Sequence, residues 1–139
     1  MRIKAERKGA RKASRYLWDG LIRHNRKAGG PLRYKREVLT ARSDRGRILG
    51  GVILQSYWKE TYVEVLWLSP RARGKGYARL LMAEAERRAR RNGSRLLHLN
   101  TFSFQAPGLY EKLGFKRFGS LSGSPSGESR HWYVKNLVK

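Results

Sequence analysis

The chain has 139 residues, a length that suits one domain with a single hydrophobic core. It contains no cysteine, which excludes a disulfide framework, a thiolate metal site and a cysteine nucleophile. The three histidines, His24, His98 and His131, are scattered, so we expect no metal site. No apolar run approaches the length of a membrane span, and the basic N-terminus lacks the apolar segment of a signal peptide. We therefore expect a cytoplasmic protein with no membrane partner.

The charge of the chain is strongly positive. It carries 32 Lys and Arg against 10 Asp and Glu, a formal net charge of +22. The cations cluster in residues 2–15, 23–47 and 87–95. Such clusters are typical of a polyanionic partner such as RNA, DNA or the ribosome surface, and equally of solvated surface side chains in an Arg-rich sequence. The sequence leaves both interpretations open.

The first half of the chain predicts one helix and several strands. Residues 1–5 form a short strand candidate. Ser14 is a plausible N-cap for an amphipathic helix over residues 14–26, which has apolar positions at helical spacing. Strands are predicted over residues 34–41, 48–57 and 62–68, with a hairpin turn at residues 44–46. The Gly50–Gly51 pair within the second of these strands indicates a bulge or a close backbone approach.

The second half alternates between helices and strands. A helix is predicted over residues 76–92, where Ala78, Leu81, Met82, Ala85 and Ala89 form an apolar stripe. Predicted elements after it are a buried strand over residues 95–101, a short helix over 107–113, and a closing antiparallel pair over 116–121 and 131–137. Without repeats or a linker, the pattern predicts one α/β domain over residues 1–139 with a mixed sheet.

The turn at residues 71–76 lies between an apolar strand and the long helix. Gly74 and Gly76 lack a Cβ, so several backbone N–H groups can point at one anion, and the positive end of the helix dipole adds to the attraction. Arg71, Arg73 and Lys75 add positive charge. The turn therefore predicts a site for a diphosphate, and a diphosphate implies a cofactor.

This turn fits neither the P-loop pattern nor the G-x-G-x-x-G dinucleotide pattern. Its form, R-x-x-G-x-G, resembles the pyrophosphate-binding motif of the GNAT superfamily of acyl-CoA-dependent N-acyltransferases. The resemblance implies that acetyl-CoA is the cosubstrate, held by Arg71, Arg73, Gly74, Lys75, Gly76, Tyr77 and Ala78. It also implies that the backbone of Leu66, Trp67 and Leu68 bonds the pantetheine arm and the acyl oxygen.

Residues 103–115 resemble a second GNAT signature, N-x-x-A-x-x-L-Y-x-K-x-G-F. The positions that match it are Ala106, Leu109, Tyr110, Lys112, Gly114 and Phe115. Ser103 stands at the Asn position, which commonly bonds the pantetheine arm in the family, so Ser103 is a cofactor-binding candidate that departs from the pattern. The resemblance is firm over about residues 47–118. It implies a GNAT-like fold in which helices cover both faces of the sheet.

Two residues are candidates for proton transfer. Tyr110 is at the family's Tyr position and would protonate the leaving thiolate, because a phenol with a pKa of about 10 is protonated at neutral pH. The alternative is a Tyr that only packs the helix on the sheet. Glu64 is the acid within an otherwise apolar strand, predicted to share a face with Leu66 and Leu68. It would act as base, directly or through water; the alternative is an exposed Glu paired with an Arg.

The acceptor cannot be identified from the sequence. Six aromatic residues at predicted strand ends could form the floor of an acceptor pocket or belong to the core: Tyr57, Trp58, Tyr62, Trp67, Phe102 and Phe104. His24 and Asn25 would border it. We predict an acetyl-CoA-dependent N-acetyltransferase for a small-molecule or protein amine, and leave a homodimer open. The competing prediction is a basic nucleic-acid- or ribosome-associated protein of this fold, which acetylates charged tRNA or a ribosomal protein, or binds without catalysis.

Overall fold

A computed structural model describes residues 1–103, 105, 107–123 and 126–138. Within them the chain forms three α-helices and six β-strands. The helices are α1 (Ala10–Gly29), α2 (Tyr77–Arg91) and α3 (Pro107–Lys112). The strands are β1 (Lys35–Arg42), β2 (Ile48–Tyr57), β3 (Glu60–Leu68), β4 (Leu96–Phe102), β5 (Lys116–Ser122) and β6 (Ser129–Asn136). The predicted mixed α/β class is confirmed.

The chain divides into two compact units, residues 1–32 and residues 33–139. In the first unit α1 begins at Ala10, four residues before the predicted N-cap Ser14, because the carbonyl of Gly9 already accepts a hydrogen bond from Ala13 N at 2.9 Å. The strand expected over residues 1–5 is wrong: this segment is exposed and pairs with no strand of the described sheet. The prediction of one domain over residues 1–139 stays a prediction.

The second unit contains one sheet with the strand order β1-β2-β3-β4-β6-β5. All neighbouring strands are antiparallel except β3 and β4, which are parallel and are connected through α2. The pairing of β3 with β4 covers only three residue pairs, from Glu60 with Leu96 to Tyr62 with His98. Beyond Tyr62 the two strands separate, and the facing edge of each is left without its neighbour.

The core lies between α2 and one face of the sheet. Val52 and Leu54 of β2 and Leu97 and Leu99 of β4 are almost fully buried, at alternate positions along their strands. From α2 they meet Leu81, Met82, Ala85 and Ala89, four of the five predicted stripe residues. Gly50 and Gly51 mark a close approach, as predicted: a Cβ on Gly50 would lie 2.5 Å from the Trp67 carbonyl oxygen. The chain thus needs glycine where β2 supports the end of β3.

The C-terminal end of α2 is tied to β1 through the Glu37 carboxylate. Asn92 Nδ2 donates to it at 2.9 Å, Arg88 Nη1 at 3.1 Å, and Lys35 Nζ lies 3.3 Å away. Burial by itself raises the pKa of Glu37, but the hydrogen bonds from Asn92, Lys35 and Arg88 outweigh it and leave the pKa below its usual value. The pairing therefore stabilises the folded chain while Glu37 is ionised.

A β-bulge at Glu64 corrects the predicted faces of β3. Ile53 pairs with Val65 but Leu54 pairs with Val63, so Glu64 is the additional residue on β3. Leu66 and Leu68 consequently pack against the same core as Val63. The predicted shared face of Glu64 with Leu66 and Leu68 is wrong, because the bulge shifts the alternation of side chains by one residue.

Candidate active site

The separation of β3 from β4 opens a cleft of about 650 Å³ in the second unit. One wall is β3, with residues 63–68, and the other is β4, with Leu99, Asn100 and Thr101. Arg73 and Ala78 line the end near α2, and Gln105, Leu109 and Tyr110 line the end near α3. Because β4 does not pair with this part of β3, those backbone polar groups of residues 63–68 that point away from β2 face the cleft rather than a neighbouring strand.

The glycine turn leads into α2 at one end of this cleft. Gly74 and Gly76 have φ angles of 76° and 81°, in the left-handed region that favours glycine. A Cβ at either position would meet no heavy atom within 4 Å, so the space beside the turn is open. Gly76 is the N-cap of α2 and supplies no side-chain cap. The N–H groups of residues 74–79 donate to no acceptor in the part of the chain that the structure describes.

The turn therefore has the features that a pyrophosphate requires. Unused N–H groups converge at the positive end of the α2 dipole, and the side chains of Arg71 and Lys75 are exposed beside them. Arg73 differs, because its Nε donates to the Leu68 carbonyl oxygen at 3.2 Å. This bond links the turn to the end of β3, so the predicted diphosphate site and the cleft form one continuous surface.

Tyr110 lies on α3 with its side chain at the cleft. It is only 8% exposed, and its ring contacts Phe115 and Tyr133, with centroid distances of 5.9 Å and 6.1 Å. Burial raises the pKa of the Tyr110 phenol above its usual value. No hydrogen bond to its hydroxyl occurs among residues 1–103, 105, 107–123 and 126–138. The side chain is therefore packed as a core residue and also protonated and unpartnered beside the cleft.

Glu64 lies on the β3 wall of the cleft, at the bulge. Its Oε2 accepts a hydrogen bond from Gln55 Nε2 at 2.7 Å and lies 3.5 Å from Arg36 Nε. The side chain is 33% exposed. Pairing with an Arg, which the sequence offered as an alternative to a role as base, is present. Glu64 nevertheless lines the cleft, and the bulge is what turns it away from the core.

Most of the other predicted site residues that the structure describes do not line the cleft. Ser103 does not line the cleft; its hydroxyl donates to Glu128 and accepts from Ser129 N at 3.2 Å. Its role in cofactor binding stays a prediction. Of the described aromatic candidates only Trp67 lines the cleft, and it is 53% exposed. Phe104 and Ala106 lie outside the described residues. His24 and Asn25 belong to α1 in the first unit.

Three polar cleft residues were missed by the sequence analysis: Asn100, Thr101 and Gln105. Asn100 donates from Nδ2 to the Tyr62 hydroxyl at 3.0 Å, and Gln105 Oε1 accepts from Thr101 Oγ1 at 3.0 Å and from Phe102 N at 2.7 Å. Asn100 could have been found as a polar residue next to the apolar Leu99 and on the opposite face of the strand. Gln105 gave no such signal, because its place depends on the turn between β4 and α3.

Comparison with known proteins identifies the family. The model of the acetyltransferase (GNAT) family matches residues 7–115. The chain belongs to this family. Among its relatives, blasticidin-S acetyltransferase of Streptomyces morookaense is 37% identical over 95 residues, covering 68% of this chain and 70% of that protein. Acetyltransferase Atu2258 of Agrobacterium fabrum is 31% identical over 125 residues, covering 90% of this chain and 91% of that protein.

A solved GNAT structure has the same architecture. The crystal structure of an acetyltransferase from Bacillus cereus ATCC 14579 superimposes with a TM-score of 0.87 at 28% identity, covering 98% of this chain and 97% of that one. The resemblance inferred from the two motifs is thereby confirmed, as is the GNAT-like fold. Members of this family generally use acetyl-CoA. No helix of the described residues is long and apolar enough to cross a membrane.

Proposed function

We propose that the protein transfers an acetyl group from acetyl-CoA to a primary amine. The observation that carries this proposal is the cleft between β3 and β4, which joins the glycine turn to Glu64 on the β3 wall and to Tyr110 at the end near α3. A packed sheet has no structural need for such an opening, because it leaves backbone groups of β3 without partners. A ligand with an extended polar arm would supply those partners.

In this proposal the cosubstrate is held from two directions. The N–H groups of residues 74–79 and the side chains of Arg71, Arg73 and Lys75 bind its pyrophosphate. The backbone at Leu66, Trp67 and Leu68 bonds the amide groups of its pantetheine arm in the manner of an added strand. The thioester is then directed between Glu64 and Tyr110, which line the same cleft.

The two side chains perform complementary proton transfers. Glu64 accepts a proton from the acceptor ammonium, directly or through water, so that the amine nitrogen can form a bond to the carbonyl carbon. As the bond from that carbon to sulfur breaks, Tyr110 donates its phenolic proton to the departing thiolate. The nitrogen loses its second proton to solvent as the amide forms, solvent restores the phenol, and Glu64 releases its proton to solvent. The raised pKa of Tyr110 keeps this proton available at neutral pH.

The test is a CoA-release assay with acetyl-CoA and a panel of amines. The panel includes blasticidin S, because a relative with 37% identity is named for its acetylation, together with polyamines, amino acids and lysine peptides. Gly76→Val tests the pyrophosphate site. A Val at a φ of 81° is strained, and its side chain occupies the open space beside the turn. We expect it to lose acetyl-CoA binding in calorimetry. Normal binding by this variant would contradict the proposed pyrophosphate site.

The positive charge supports a second candidate, in which the acceptor is presented on a polyanion such as charged tRNA or the ribosome. In α1 the side chains of Arg11, Lys12, Arg15, Arg23, Arg26 and Lys27 are all exposed. One CoA needs only a few cations, so these exceed its requirement. Repeating the assay with charged tRNA and with ribosomal proteins separates this candidate from a free small-molecule acceptor.

A further inference from the structure

Arg130 contacts Asn100 of the cleft wall in an arrangement that no step of the proposed reaction uses. It begins the part of β6 that pairs with the end of β4, directly opposite Phe102. Its guanidinium carbon lies 5.4 Å from the centre of the Phe102 ring and 5.1 Å from the centre of the Trp132 ring. Two aromatic faces therefore hold the guanidinium by cation–π contact and restrict its movement.

One hydrogen bond connects Arg130 to the wall of the cleft. Arg130 Nε donates to Asn100 Oδ1 at 2.8 Å, and Asn100 itself lines the cleft and donates to the Tyr62 hydroxyl. These bonds and the ring contacts orient the planar guanidinium. It is therefore held one hydrogen bond away from a residue of the cleft wall, Asn100.

The terminal nitrogens of Arg130 have no carboxylate partner within 4.0 Å in the part of the chain that the structure describes. Two other arginines are paired: the partly buried Arg88 contacts Glu37 and Glu84, and the exposed Arg117 contacts Glu111. A guanidinium has five N–H donors in a fork that matches the two oxygens of a carboxylate. Arg130 uses one of these donors on Asn100, so its fork is oriented and available.

We propose that Arg130 binds a carboxylate of the acceptor, which makes the acceptor an amino acid or a related molecule that carries both charges. The proposal rests on the proposed function, in which Glu64 receives the ammonium end. Glu64 is on β3 and Arg130 on β6, two strands away in the sheet order. Paired neighbouring strands lie about 5 Å apart, so two regular spacings would put the two backbones about 10 Å apart, and the separation of β3 from β4 increases this distance. The acceptor's amine and carboxylate are therefore separated by several bonds.

The test compares acids with their neutral amides. The panel consists of 4-aminobutyrate, 6-aminohexanoate and L-lysine, each with the corresponding carboxamide, which keeps the size and removes the charge. We expect the wild-type protein to prefer at least one longer acid over its amide in kcat/KM. Arg130→Gln should lower kcat/KM for that acid about tenfold to a hundredfold, because a hydrogen bond to a charged group is lost, and change the amide little. Arg42→Gln removes the same charge at an exposed site on β1 and should change neither.

Each result decides the proposal. Equal losses for acid and amide would identify Arg130 as a positioning residue for Asn100 and overturn it. Acetylation of acids and amides at equal rates by the wild type would overturn it while leaving the proposed function intact. If no member of the panel is acetylated, calorimetry with the CoA-saturated protein gives the answer. Tighter binding of an acid than of its amide, lost in Arg130→Gln, supports the carboxylate site, and equal binding refutes it.

Discussion

Replacing Tyr110 with Phe keeps the packing of its ring and removes the hydroxyl that we propose as the proton donor. The ring keeps its contacts with Phe115 and Tyr133, and the lost hydroxyl has no hydrogen-bond partner in the described part of the chain. The free energy of unfolding should therefore change by less than about 1 kcal/mol. A lost general acid lowers the rate about a hundredfold to ten-thousandfold, which corresponds to roughly 3–5 kcal/mol of activation free energy. The prediction is a large effect on kcat with little effect on stability or on acetyl-CoA affinity.

Tyr133→Phe is the matched control for this experiment. Tyr133 is fully buried and its ring is adjacent to that of Tyr110, but its hydroxyl accepts from Arg117 Nη2 at 2.9 Å and donates to Glu111 Oε1 at 3.1 Å. Loss of the Tyr133 hydroxyl should destabilise the protein by about 1–3 kcal/mol, because Arg117 and Glu111 each lose a hydrogen bond. It should leave kcat nearly unchanged. Tyr110→Phe should therefore lower kcat with little loss of stability, whereas Tyr133→Phe should lower stability with little loss of kcat.

The assay is steady-state CoA release at pH 7 to 8, with urea unfolding of each variant. Burial raises the pKa of Tyr110, so its contribution to stability is fully present below about pH 10 and is lost only as the pH rises through the higher folded-state pKa. Ionisation of Tyr110 therefore does not affect the comparison. A Tyr110→Phe protein with near-wild-type kcat would refute the role as acid, and solvent would then protonate the thiolate.

Three further predictions concern other parts of the chain. Glu64→Gln keeps an oxygen that can accept a hydrogen bond from Gln55, so the affinity for acetyl-CoA should change little. Turnover should fall, and most at low pH, where the amine is hardest to deprotonate. An unchanged pH–rate profile would exclude Glu64 as the base. The cations in residues 2–15 and 23–47 should give weak RNA binding whose log affinity falls linearly with log salt in gel-shift titrations, and no binding at low salt would leave solvated side chains as the explanation. Glu37→Gln should cost about 1–3 kcal/mol in urea unfolding at pH 7. Because the pKa of Glu37 is lowered, this difference should shrink as the pH falls below about 4.5, and a constant difference would show that the ionised pairing contributes nothing.

The sequence by itself determined the order and type of most elements and the place of the glycine turn. The strand Ile48–Tyr57 was predicted with its observed ends, and α2 differs from its predicted range by one residue at each end. These features are local: apolar spacing, turn residues and helix ends depend on neighbours in the chain. Gly74 and Gly76 could be assigned for the same reason, because a positive φ before a helix selects glycine whatever lies elsewhere.

The tertiary structure decided which residues meet in the cleft. The bulge at Glu64 arises from the pairing of β3 with β2, and it turned the carboxylate away from the face predicted for it. The separation of β3 from β4 and the contact of Arg130 with Asn100 likewise depend on which strands become neighbours. Strand pairing joins residues that are distant in sequence, so side-chain periodicity gives the faces of one strand but not its register with the next. The walls of the cleft therefore follow from the assembled sheet.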